Sequence, residues 1–150
     1  MDLSKEVKKS IDKCVLCWLA TSSIDNSPNV SPKEVFTYFN DDKIIVANIA
    51  SPQTVKNIKQ NKKVCISFID ILVQKGFQIK GKAQIIDANH MHYPDIESSL
   101  LQLTRGKFPF KTVTLIHVEK VKPIKAPSYL LYPDTTEKEQ IESAKKVYRL

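Results

Sequence analysis

The chain has 150 residues, of which 42% are hydrophobic and 26% charged, so disorder throughout is excluded and one domain, or one domain with a tail, is expected. Lysine and arginine outnumber aspartate and glutamate by 23 to 16, and the net charge of +7 favours an anionic partner such as nucleic acid, a phosphate ester or a membrane surface. The only glycines are Gly76, Gly81 and Gly106, which excludes a Rossmann fingerprint and a Walker A loop, because both need closely spaced glycines to bring backbone against phosphate.

The spacing of Leu3, Val7, Ile11 and Cys14 predicts a helix over 3–13, capped by Ser4. A mostly apolar strand follows over 15–22, expected to be buried on both faces. Asp25-Asn26-Ser27-Pro28 is a turn, and a second strand runs over 29–39. Asn40-Asp41-Asp42 turns the chain into a third strand over 43–49. Ser51-Pro52 then opens a helix ending near Asn61, with serine as N-cap and proline at the first helical position. Strands over 64–69 and 77–87 come next. In the second, Phe77, Ile79, Gly81, Ala83 and Ile85 share one face. A helix is predicted over 93–103, and a sixth strand over 112–121 stopped by Pro123. An extended arm over 126–133 precedes a final helix over 135–150, with Ile141, Ala144 and Tyr148 on one side. Six strands joined by hairpins suggest an antiparallel β-barrel with peripheral helices.

The longest apolar run, Cys14 to Ala20, is too short to span a bilayer, and 1–13 lacks a secretory apolar core. The expected address is the cytoplasm. Three cysteines fit a reducing compartment. Cys14 and Cys17 form a lone CxxC, which reads as core packing rather than a redox pair or half a zinc site. His90 and His92 are read as a loop pair without a metal, and His117 as a core or interface residue.

The start of the helix at Ser51 is the best candidate anion site, since unpaired N–H groups and the helix dipole attract negative charge there without glycines. Ser51 and Thr54 offer hydroxyls, Gln53 an amide and Lys56 a charge, and the strand end from Ala47 to Ala50 would line the site. A capped surface helix that binds nothing is the alternative. In Ser31-Pro32-Lys33, the proline marks a sheet edge or bulge. Lys33 either points inward and needs an anion, or is an edge lysine that blocks aggregation.

Four segments carry a family resemblance. They are Leu19-Ala20-Thr21 with Pro28 to Lys33; Ile45 to Ile58; Asn61 to Phe68; and Gly76 to Ala83. In order and spacing they resemble the pyridoxamine-phosphate-oxidase-like FMN-binding split-barrel proteins over about residues 15–88. The resemblance implies a six-stranded split barrel over 1–124. Residues 125–150 would be an arm and helix packing on that barrel or on a partner. It also implies a homodimer with FMN at its interface. Ser31, Pro32 and Lys33 would run beside the flavin. Ala47, Asn48, Ile49, Ala50, Ser51, Gln53, Thr54 and Lys56 would hold its ring edge and phosphate, and Gly76 and Phe77 would lie near it. Gln53 stands where many members carry a basic residue, which leaves the phosphate charge to Lys56 or Lys33 and leaves room for a deazaflavin or haem. The C-terminal part lacks the arginine- and tryptophan-bearing segment of true pyridoxamine phosphate oxidases. The function expected is therefore an FMN-dependent oxidoreductase acting on a small molecule or an electron-transfer partner. The alternatives are a non-catalytic FMN carrier and a basic barrel binding nucleic acid. The strands show too little interleaving of aromatic and basic residues to favour nucleic acid.

Overall fold

A computed structural model describes residues 1–150. Helix α1 (Lys5–Lys13) is capped by Ser4, whose hydroxyl accepts from the Val7 N–H at 3.2 Å. Its buried face, Val7 and Ile11, continues Leu3 onto the sheet. The strands are β1 (Cys17–Ser22), β2 (Pro28–Lys33), β3 (Phe36–Phe39), β4 (Lys43–Asn48), β5 (Lys63–Asp70), β6 (Lys75–Ile86) and β7 (Thr112–Lys125). They form one antiparallel sheet in the order β2-β1-β5-β6-β7-β4-β3, curled into a split half-barrel.

There are seven strands, not six. The segment expected to be one strand over 29–39 divides at Glu34-Val35, because β2 pairs with β1 at one edge of the sheet and β3 with β4 at the other. The chain turns the corner where the curled sheet brings its edges together, and the Val35 carbonyl accepts from the Ala47 N–H at 3.0 Å. Pro123 does not end β7, which runs on to Lys125 opposite β6. Beyond His117, β7 has no β4 neighbour, so a missing N–H on that side sacrifices no ladder bond.

β1 is not buried on both faces. Cys17 and Leu19 are buried, whereas Trp18 between them is 47% exposed, because no second layer covers the outer side of the sheet there. β4 is covered on both sides, as is β7 over Val113–Ile116. Ile44 and Val46 face the main core with α1, Ile58 and the inner residues of β5 and β6. Ile45 and Ala47 face a second core built by α3 (Tyr93–Thr104) through Tyr93, Ile96 and Leu100. A fully buried Ile or Leu contributes about 1.5–3 kcal/mol, so this double covering holds β4 firmly. It leads directly into α2 (Pro52–Gln60).

The segment expected as an extended arm contains a short helix, α4 (Pro127–Leu131), with Pro127 at its first position. The last helix is α5 (Glu137–Tyr148), begun by a capping box between Thr136 and Glu139. Gln140 and Ala144 are its buried residues, and Tyr148 is 48% exposed. This arm lies on the β5–β6 turn of its own chain. The Tyr129 hydroxyl donates to the Val73 carbonyl at 2.7 Å, the Lys75 ammonium sits 4.5 Å from the Tyr129 ring centre, and Lys75 pairs with Glu137 at 2.9 Å.

Candidate functional site

The site is assembled by the passage from β4 into α2 and by the neighbouring end of β2. Pro52 fixes the first helical φ and has no N–H to satisfy. Thr54, Asn57 and Ile58 turn inward. Asn57, 1% exposed, donates from its amide to the Thr21 hydroxyl at 3.0 Å and accepts from the Gln53 amide at 2.8 Å. Thr54, also 1% exposed, shares a 3.0 Å hydrogen bond with the Ser31 hydroxyl. Side-chain hydrogen bonds thus tie the first two turns of α2 to β1 and β2.

Ser51 stands at the N-cap position, as expected, but its hydroxyl makes no capping bond and instead accepts from the Lys33 ammonium. The N–H groups of Gln53 and Thr54 have no protein partner. Helix α2 therefore begins with free backbone donors at the positive end of its dipole, beside a lysine.

Lys33 points inward. It is 6% exposed, stands opposite Cys17 in the β1–β2 register, and forms no salt bridge. Burial pulls its pKa down, with a smaller upward pull from Cys17. The Cys17 thiol is pushed up to about 12, chiefly by burial, with the Lys33 charge acting in the opposite direction. Cys14 is also raised by burial, which fits the reading of the CxxC as packing rather than a reactive pair.

Two cavities meet at Ile49, Ala50 and Ser51. One, of about 240 Å³, is lined by Pro32, Lys33, Ala47 and Phe108 as well. The other, of about 560 Å³, is lined by Asn48, Lys56, Lys59 and Thr112. The Asn48 amide donates to Thr112 at 3.1 Å, and its carbonyl accepts from Thr114 at 2.8 Å, which holds the loop's approach. Ser31 to Lys33, Ala47 to Ser51, Gln53, Thr54 and Lys56 are thus gathered around one helix start.

Gly76 and Phe77 are not brought there in this chain. They line a separate cavity of about 210 Å³ with Lys9, Asp70, Pro123 and Glu137, and the Phe77 ring lies in the main core. A larger apolar groove of about 490 Å³, bordered by Val15, Trp18, Ile69, Ile71 and Leu150, lies away from Lys33. His117 is solvent-facing on β7, opposite Lys43 and Lys82, rather than a core residue. Its position follows from strand alternation, with Ile116 and Val118 taking the buried side. His90 and His92 stack edgewise in the loop before α3, with ring centres 5.9 Å apart.

Sequence reasoning missed Asn57, Thr21 and Phe108. Asn57 was within reach of it, since it stands four residues after Gln53 on the inward side of α2 and such pairs are neighbours on a helix. Phe108 carried no signal, because only tertiary packing brings its loop to the cleft.

The curled antiparallel sheet with peripheral helices and a cleft at the β4–α2 passage defines a split-barrel protein. Residues 3–125 match the family model described as pyridoxamine 5'-phosphate oxidase, and the chain belongs to that family. Among solved structures, it is similar to tagged HupZ of Group A Streptococcus, at 27% identity over 79% of this chain and 91% of that one, with a TM-score of 0.68. An FMN-binding protein from Syntrophomonas wolfei subsp. wolfei has 20% identity over 81% and 86% of the two chains, with a TM-score of 0.68. HutZ, the heme storage protein from Vibrio cholerae, has 15% identity over 83% and 96%, with a TM-score of 0.66. The last two likenesses bear on the fold alone. No curated protein matches the sequence closely. No helix is long and apolar enough to cross a membrane.

Proposed function

We propose that the cleft between β2 and the start of α2 binds FMN, and that the protein is a flavin-dependent oxidoreductase of the pyridoxamine-phosphate-oxidase-like class. The observation that carries this reading is Lys33. A buried lysine with no carboxylate partner, held against a helix start whose first N–H groups are free, is the arrangement that suits an anion. The residues fit a phosphate ester: Lys33 supplies charge, the Gln53 and Thr54 N–H groups supply donors, and Lys56 lies in the adjoining cavity. Gln53 serves through geometry rather than charge, since its amide is engaged by Asn57. The apolar walls at Ala47 and Ile49 suit a ring edge.

When bound, a flavin takes up electrons from a donor and passes them to an acceptor, while the protein positions it. The reading includes a cytoplasmic homodimer, with residues 125–150 as an arm appended to the barrel. True pyridoxamine phosphate oxidase activity is not part of it. Purified protein is expected to be yellow, to release FMN on denaturation, and to rebind it after stripping. Colourless protein that gains no flavin on titration would sink this proposal. A deazaflavin or haem spectrum would replace FMN by that cofactor, and steady-state NAD(P)H oxidation separates an enzyme using that donor from a carrier.

A further inference from the structure

The loop from α3 to β7 contains two phenylalanines with opposite fates. Phe110 packs against the second core, whereas Phe108 is 53% exposed and has no aromatic partner. The loop is tied down on both sides. Arg105, in the left-handed region at φ 51°, closes α3 by donating to the Leu101 carbonyl, Lys107 donates to the Thr104 carbonyl at 3.1 Å, and the Tyr93 hydroxyl holds the Lys111 carbonyl at 3.2 Å. Between these anchors, Phe108 and Phe110 donate no backbone hydrogen bond, and Pro109 has none to give. The Phe108 ring lines the cavity that holds Lys33 and Ser51, and also a neighbouring cavity of about 400 Å³ with Val15, Val35 and Leu103. With Glu34 and Val35, which also line both, it stands between the two, on a segment whose backbone is free to adjust.

An apolar ring left half in water at the wall of a cleft has most to gain from a flat apolar surface brought by a ligand. We propose that Phe108 packs on the planar ring of the group held at Lys33 and Ser51, so that the cleft selects an aromatic anion over a bare phosphate. This rests on the FMN reading above and adds to it a residue that chooses the ring rather than the phosphate. The contact is with the bound group itself, so Phe108 acts on affinity for the ring and leaves the attraction of Lys33 for anions untouched.

The test uses flavin-stripped wild type, Phe108→Ala, Phe108→Trp and, as a remote control, Tyr148→Trp, whose parent side chain is exposed on α5. Each is titrated with FMN, with inorganic phosphate as competitor. Phe108→Ala is expected to weaken FMN about tenfold, the scale of one lost aromatic contact, and to leave phosphate competition within about twofold. Phe108→Trp is expected to retain binding and to quench the fluorescence of bound FMN, because an indole in contact with the ring quenches it; Tyr148→Trp is expected not to. Unchanged FMN affinity in Phe108→Ala, or bound FMN left bright by Phe108→Trp, would overturn the proposal. Loss of FMN and phosphate together would assign Phe108 to general cleft structure and overturn it as well. Wild type that binds no FMN at all would instead remove the functional reading, and this inference with it.

Discussion

Replacing Lys33 with methionine should move stability and ligand affinity in opposite directions. Lys33 is 6% exposed, the polar partner of its ammonium is the Ser51 hydroxyl, and no carboxylate pairs with it. Losing a hydrogen bond from a charged donor costs about 1.5–3 kcal/mol. Burying an unpaired ion costs several kcal/mol, and methionine, of similar length but apolar, avoids that penalty. The ligand-free variant is expected to gain about 1–2 kcal/mol. With an unfolding entropy of about 0.3 kcal/mol/K for a chain of this length, that is a rise in Tm of about 3–6 °C. FMN binding should weaken roughly 10- to 150-fold through loss of a charge-assisted bond worth about 1.5–3 kcal/mol. The pH dependence follows the same logic. Burial lowers the Lys33 pKa in the folded state, so the unfolded chain holds this proton more tightly. The penalty is full below the depressed folded pKa and fades as pH rises toward the ordinary value of 10.5. Wild-type stability therefore contains a rising contribution in that window, and the variant lacks it. Scanning calorimetry of stripped protein across pH and an FMN titration measure both halves. A lower Tm combined with unchanged FMN affinity would refute the argument.

Three further outcomes test the fold. Gly76 stands between Ile69 and Ile124 in the ladder, and a Cβ there would run into the Phe68 carbonyl oxygen and come within 2.7 Å of the Ile69 Cα. Both obstacles are backbone, so Gly76→Ala should cost about 3 kcal/mol in urea unfolding; a wild-type midpoint would mean that β5 yields more easily than its pairing implies. Thr136→Ala removes the hydroxyl that accepts from the Glu139 N–H, while the residue-136 N–H still reaches the Glu139 carboxylate, and should cost α5 about 1 kcal/mol, seen as faster amide exchange over 137–148. Exchange that does not change would show that the contacts of Gln140 and Ala144 hold the helix without its cap. Cys17, fully buried and with its pKa pushed up to about 12, should be alkylated by iodoacetamide at pH 8 far more slowly than Cys14 or Cys65. Equal rates by peptide mass mapping would show that the core beside Lys33 opens readily.

Much of the barrel was legible from local chemistry. Strand alternation in Phe77 to Ile85, the turns at Asp25 to Pro28 and Asn40 to Asp42, and the Ser4 cap are written in neighbouring residues, and the structure reproduces them. The antiparallel barrel class follows from hairpin connections, which local signals also report. The proline at position 52 marked the start of α2 correctly, because a ring that fixes φ acts at its own residue.

What the sequence alone determined, then, was most of the elements, the antiparallel barrel class and the start of α2 at Pro52, and it singled out Ser51 as a candidate anion site. The tertiary structure decided how that place works. Whether Lys33 faced solvent or core turned on which edge of the sheet β2 joined, and pairing with β1 sent it inward to take the Ser51 hydroxyl and leave the helix without a side-chain capping bond. The same curling split one expected strand into β2 and β3, and let Pro123 remain inside β7 where no second neighbour needs its N–H. Few glycines excluded one way of holding a phosphate, while the excess of lysine favoured an anionic partner. The fold brings together the groups for another way, because a buried lysine and free helix donors meet only when residues far apart in the chain close the same corner.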